Sequence, residues 1–412
     1  MKQTLRIGAA AFSVVAALAF SGCASGPSSN AGSGSTSLNL LVPTYDDKTK
    51  GLWQDVITGF EAKNPTIKVN LEVQSWDAID GVMKTKIQGN QAPDIFNGGP
   101  FASYATDDLI YKAEEIASPG TFADFQESFI KNEQLNGTTY ALPLIASARA
   151  LFVNNTLLKQ AGVAAAPKTW DELLDAAKKI TSLGNGIKGY GMPLGSEETQ
   201  GEAAIWLWGG GGTFGNETTL KIDDPSNLVG AEQMKKMIDA GVTEENPGSM
   251  NRSTLTDVFI QGKIGMQVLL PPIVGQIKEK NPALDYSIVP IPTKDGAPLT
   301  LGVADRLMAF KNKGDKQSAI TKFMDYFYQA DVYTAWVKAE GFLPTTKSGS
   351  VALSSLPELK PFLDVLPSAR FYPTTNAKWA AADAAFKSLF GKIQTDPAAQ
   401  VLTSVQKQAM AG

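Results

Sequence analysis

The chain has 412 residues, 43% of them hydrophobic and 19% charged, with a mean hydropathy of −0.09. These values fit a water-soluble body large enough for two domains and exclude a multi-span membrane protein. Its net charge of −4, with no basic stripe, excludes nucleic acid as a partner, and the absence of histidine and presence of one cysteine remove zinc sites, catalytic triads and intrachain disulfides of the usual kind.

Along the chain, Lys2 and Arg6 precede an apolar run from Ile7 to Phe20 that ends at Ser21 and Gly22. The run is short for a bilayer-spanning helix, which needs about 20 residues, and reads as a secretory signal peptide over residues 1–22. Removal of Lys2 and Arg6 with it leaves 35 basic against 41 acidic residues, a net charge of −6. The segment FSGC resembles the lipobox of bacterial lipoproteins, which makes Cys23 the lipidated first residue of the mature chain. Residues 23–37 are otherwise small and polar, a flexible tether that would keep the body clear of the membrane.

Leu38–Val42 predicts a buried strand, and residues 51–65 a helix in which Leu52, Val56 and Phe60 share a face. The alternation of residues 67–73 predicts a second strand, so the opening is a βαβ unit with a parallel sheet. Further along come helical residues 79–90, strand-like residues 93–99, and a helix from Trp170 preceded by a Thr169/Glu172 capping box. Helical residues 231–241, strand-like residues 263–270 and one long helix over 316–341 complete the pattern. The G-x-G-x-x-G letters at 184–189 follow a helix and precede a strand, the reverse of the dinucleotide-binding order, and read as a turn. Asp46–Asp47 and Asp107–Asp108 are adjacent pairs that read as solvated loop acids rather than a glycosidase pair.

Five segments taken in order, FEAKNPTIKV, APDIF, FVNNTLLKQAGVAAAPKTWDEL, FIQGKIGMQV and GFLPTTKS, resemble the extracellular solute-binding proteins of carbohydrate ABC importers, the family that includes maltose-binding protein. The resemblance covers nearly all of the mature chain. It implies an α/β fold of two discontinuous lobes joined by a hinge, of the periplasmic-binding-protein type II kind. It places lobe one at 38–147 plus 303–342 and lobe two at 148–302 plus 343–412. It implies a protein without catalysis, cofactor or metal, held outside the cytoplasmic membrane by a lipid anchor only. Its partners would be a carbohydrate ligand and ABC importer permease subunits, with the protein itself a monomer. A secreted glycoside-acting enzyme or a ligand sensor for a membrane receptor are the alternatives.

Ligands of open α/β sheets bind beyond the carboxyl ends of strands, which points to Thr44, Tyr45 and Asp46 after the first strand and to Asn97 and Gly98 after PDIF. Sugars need aromatic plates and forked polar groups. Trp206 and Trp208, with Gly209 and Gly210 beside them, are the first aromatic candidates, followed by Trp76 and Trp379 in loop-like segments; Trp53, Trp170 and Trp336 read as core. Arginine is scarce in the mature chain, and Arg149, Arg306 and Arg370 fall in segments that the family uses near its cleft, as do Asp305 and Phe342. A planar guanidinium fork suits vicinal hydroxyls or an anionic sugar, and buried ion pairing, for instance of an arginine with Asp305, is the structural alternative.

Overall fold

A computed structural model describes residues 35–312, 314 and 316–411. The expected signal peptide over 1–22, the expected lipidation site Cys23 and residues 23–34 of the expected tether lie outside the described residues. The first strand, β1 (Thr36–Pro43), starts two residues earlier than Leu38, inside the expected tether. It pairs in parallel with β2 (Ile67–Gln74) and β3 (Ile95–Gly98). The crossover helix Thr49–Lys63 buries Trp53, Val56, Ile57 and Phe60 against the sheet, while Leu52 is only half-buried. A small hairpin, β4 (Gln134–Leu135) with β5 (Thr138–Thr139), precedes β6 (Leu142–Ala148).

Only Arg149 separates β6 from β7 (Ala150–Asn154), yet β7 belongs to another sheet. With β8 (Lys188–Gly191), β9 (Ile264–Leu269) and β10 (Tyr286–Val289) it forms a four-stranded sheet of order β10-β7-β9-β8. The long β11 (Thr300–Ala309) then returns to the first sheet, where it lies antiparallel to both β3 and β6, and β12 (Ala369–Arg370) pairs with its start. The two passages lie side by side. The Arg149 N–H donates to the Leu301 carbonyl at 3.1 Å and the Thr300 hydroxyl to the Arg149 carbonyl at 2.6 Å. A third, Leu343, pairs with Ala146. The chain is therefore two discontinuous α/β lobes, one on each sheet, joined where these segments meet.

Period-two alternation accounts for the layers. Leu38, Leu40 and Val42 enter one core and Leu41 the core on the opposite sheet face; Leu307 and Ala309 divide from Met308 and Phe310 in the same way. On the second sheet, Leu151 and Val153 face a core with Trp170, Trp206 and Phe386, while Phe152 faces Phe259 and Phe362. The capping box forms as expected: the Thr169 hydroxyl accepts from Glu172 N–H at 3.4 Å and Glu172 accepts from Thr169 N–H at 3.2 Å. The expected long helix over 316–341 is two helices, Gln317–Phe327 and Ala330–Glu340. No proline or glycine breaks it. Gln329 turns extended so that Tyr328 and Tyr333 can reach back to carbonyls of β6, Pro143 at 3.1 Å and Leu144 at 2.8 Å, and local propensity yields to that packing.

Candidate functional site

A cavity of about 110 Å³ lies between the two sheets' carboxyl-end loops and opens at its rim onto a second hollow of about 260 Å³. From the first lobe come Tyr45 and Trp76, which follow β1 and β2, with Asp305 and Arg306 on β11 and Phe342 after the helix Ala330–Glu340. From the second come Glu197, Glu198 and Gln200 at the start of the helix Thr199–Gly209, Arg252, and Tyr372 and Trp379 near the C-terminal helices. Strand ends deliver Tyr45 and Trp76 because β1 and β2 run parallel and point their carboxyl ends to one edge, while the antiparallel β11 brings Asp305 and Arg306 to the same edge from its middle.

Tyr45 is the hinge of the first wall. Its ring meets Phe342 edge-on at 4.9 Å and Trp76 at 5.8 Å. Its hydroxyl donates to Asp305 Oδ2 at 2.8 Å and lies 3.1 Å from Asn97 Oδ1. Burial raises the Asp305 carboxyl to about 6 against the pull of the Tyr45 hydroxyl and of Arg306, which favour the anion. On the opposite wall Trp379 stacks on Tyr372 at 5.1 Å with an interplanar angle of 22°.

The charges along the floor are paired. Arg149 bonds Glu198; Arg252 bonds Glu198 and Glu197, each at 2.7 Å; Arg306 bonds Glu133 and the Gly99 carbonyl. Two arginines hold the Glu198 carboxyl below the usual range despite its burial. Across the rim, Lys387 joins Asp383 on its own helix, at 2.9 Å, to Asp80 of the first lobe, at 2.7 Å, and Lys48 joins Glu279 at 2.7 Å. Among the described residues, no group of acidic, histidine or cysteine side chains could hold a metal ion. Three residues bordering the cavity each carry a buried polar atom with no partner among the described residues: Gln200 Oε1, Arg149 Nε and Tyr372 Oη.

Of the residues singled out from sequence, Tyr45, Trp76, Arg149, Asp305, Arg306, Phe342 and Trp379 border the cavity. Thr44 and Asp46 border the outer hollow. Asn97 and Gly98 stand one layer back: Asn97 is fully buried and supports Tyr45, and Gly98 lies against the Phe96 ring, where a Cβ would sit 2.4 Å away. Gly99 borders the cavity instead.

The Trp206–Gly210 segment does not. The helix Thr199–Gly209 is buried along its whole length, and Trp206 donates from Nε1 to Glu202 one turn back at 2.7 Å, in the core rather than at the cavity. Trp208 packs on Phe214 at 5.1 Å, and Arg370 covers its ring at 4.7 Å while bonding the Gly212 carbonyl at 3.1 Å. Gly209 and Gly210 serve helix packing: a Cβ on Gly210 would lie 3.1 Å from both the Gly230 nitrogen and the Trp170 ring. Trp379 opens a helix rather than lying in a loop. The paired carboxylates are glutamates distant in sequence, and Asp305 is not the arginines' hydrogen-bonded partner.

Missed from sequence were Gln200, Tyr372, Arg252 and the acids Glu197, Glu198 and Glu133. Arg252 is one of the four arginines after residue 22 but lies outside the segments singled out; the others carry no signal outside the fold.

Residues 45–334 match the family described as bacterial extracellular solute-binding protein. A binding protein of Brucella abortus (strain 2308) is 34% identical over 348 residues, 82% of this chain and 83% of that one. The diacetylchitobiose binding protein of Streptomyces coelicolor is 26% identical over 75% of this chain and 73% of its own. Among solved structures, a sugar transporter from Arthrobacter chlorophenolicus with bound laminaribiose superposes with a TM-score of 0.82 at 18% identity, covering 91% of this chain and 99% of that one. No helix among the described residues is long and apolar enough to cross a membrane. A cleft between two lobes, bordered by residues with unpartnered polar atoms, agrees with that kinship, and this chain belongs to the bacterial extracellular solute-binding protein family, whose members bind solutes and are not enzymes.

Proposed function

We propose that this protein captures a mono- or oligosaccharide between its lobes and delivers it to the permease subunits of an ABC importer. The observation that carries the reading is the cavity itself: half-buried aromatic rings from both lobes (Tyr45, Trp76 and Tyr372), backed by the buried Phe342 and Trp379, border it beside residues with polar atoms left without partners. Aromatic rings suit the C–H faces of a sugar, and orphaned buried donors and acceptors are costly unless a ligand satisfies them. The volume holds roughly seven to eleven water-sized groups, about one pyranose ring, and the outer hollow gives room for a second. The diacetylchitobiose and laminaribiose bound by relatives support the same class of ligand.

The lobes divide at 38–147 plus 303–342 and 148–302 plus 343–412, and solute held by one recruits the other. Anchorage is through a lipidated Cys23 on the outer face of the cytoplasmic membrane, with the protein acting as a monomer. An anionic sugar is disfavoured, because each cavity arginine already faces a carboxylate. A thermal-shift screen of neutral sugars, polyols and uronic acids tests the reading: a neutral sugar raises the melting temperature and is recovered intact. Hydrolysis of the sugar, or no shift with any of them, contradicts it.

A further inference from the structure

Gln200 is 8% exposed and Arg149 4%, and both border the cavity from the second lobe with an unpartnered polar atom, Gln200 Oε1 and Arg149 Nε. The Tyr372 hydroxyl, also unpartnered, lies on the same wall beneath Trp379. The cations nearby are neutralised: Arg149 by Glu198, Arg252 by Glu197 and Glu198, and Lys387 by Asp80 and Asp383. Facing them, Asp305 has one carboxylate oxygen engaged by the Tyr45 hydroxyl. The free valences are thus an amide acceptor and a carboxylate acceptor against a phenol donor and one guanidinium donor. A ligand that satisfies all four must both give and accept hydrogen bonds. It must also bring no negative charge against Asp305 and Glu198.

We propose that Gln200 and Tyr372 are specificity-determining residues that select a neutral polyhydroxylated ring over its anionic counterpart, Gln200 Oε1 accepting one ligand hydroxyl proton and Tyr372 Oη donating to a neighbouring oxygen. The inference rests on the sugar-binding reading above. It separates these two residues from structural ones by a specific property: Gln200 Oε1 and Tyr372 Oη are unpartnered without ligand, so loss of those two atoms is expected not to lower the stability of the empty protein.

The test titrates the wild type, Gln200→Leu and Tyr372→Phe with glucose, maltose, laminaribiose and diacetylchitobiose, and with glucuronic acid and glucose 6-phosphate, and records the ligand-free melting temperature of each. A neutral sugar is expected to bind, each substitution to weaken it about threefold to tenfold, and the ligand-free melting temperature to stay level or rise. The anionic probes are expected to bind at least tenfold more weakly than the neutral one. Two outcomes overturn the inference while leaving the sugar reading intact: wild-type affinity in both variants, or an anionic probe that binds as tightly as the neutral sugar. A fall in the ligand-free melting temperature matching the loss of affinity assigns the residues to the scaffold and overturns it as well. If no sugar binds the wild type, the sugar reading fails and this inference with it.

Discussion

Arg306 separates a ligand arginine from a structural one, and Arg306→Met decides between them. The side chain is 2% exposed and its partner Glu133 fully buried, with Nε on Glu133 and Nη1 on the Gly99 carbonyl. Methionine keeps most of the aliphatic volume but strands the Glu133 carboxylate, whose second oxygen already has no partner. Breaking one side of such a pair costs about 3–5 kcal/mol. For a body of about 380 residues, an unfolding entropy of roughly 2.1 cal/mol/K per residue turns this into a fall of roughly 4–6 °C in melting temperature. Differential scanning calorimetry on the ligand-free protein measures it. Adding Glu133→Leu removes the stranded charge and should restore most of the loss. A wild-type melting temperature in Arg306→Met, combined with lost sugar affinity, would refute the reasoning and make Arg306 a ligand contact.

Three further outcomes follow from the electrostatics. Burial raises Asp305 to about 6, so its ionised, proton-accepting form dominates at pH 7 and is mostly lost by pH 5; sugar affinity should fall by up to about tenfold over that window, and a flat titration series contradicts it. Burial also raises Glu202 to about 7 and Glu244 and Glu340 to about 8. Each takes up a proton on folding at pH values between its ordinary and raised values, so each destabilises progressively as pH rises, by up to a few kcal/mol above pH 8; the melting temperature should fall from pH 5 to pH 9, and less steeply in Glu340→Gln. Asp80→Asn removes the bond from the first lobe to Lys387 but leaves Lys387 paired with Asp383. With Asp80 half exposed, the bond contributes about 0.5–1 kcal/mol, so affinity should weaken about twofold to fivefold in low salt and little in high salt, as measured by calorimetric titration.

The lobes were legible because period-two strands and four-residue helical spacing are local signals: β1, the helix Thr49–Lys63 and the Thr169 cap lie within two residues of where the letters put them. The first-lobe wall was legible for a related reason, since a strand end marks Tyr45 in any parallel sheet and Trp76 stands out as an aromatic in a loop-like segment. The second-lobe wall was not. Trp206 and Trp208 look like binding plates until the whole helix is seen to be buried, and which face of an apolar helix meets solvent is decided by elements far away in sequence. Gln200 sits six residues before Trp206 on the exposed-looking polar start of that same helix, and only the fold brings it to Tyr372. The arginine partners were hidden likewise, because Arg306 and Glu133 are 173 residues apart and Arg149 and Glu198 are 49 apart.

Closure of two lobes around a neutral solute is the central claim, and small-angle X-ray scattering with and without a saturating sugar from the titration panel tests it most directly. The account predicts a smaller radius of gyration in the sugar-bound protein, with the contraction weakened in Asp80→Asn. A radius of gyration unchanged on binding of that sugar would contradict it.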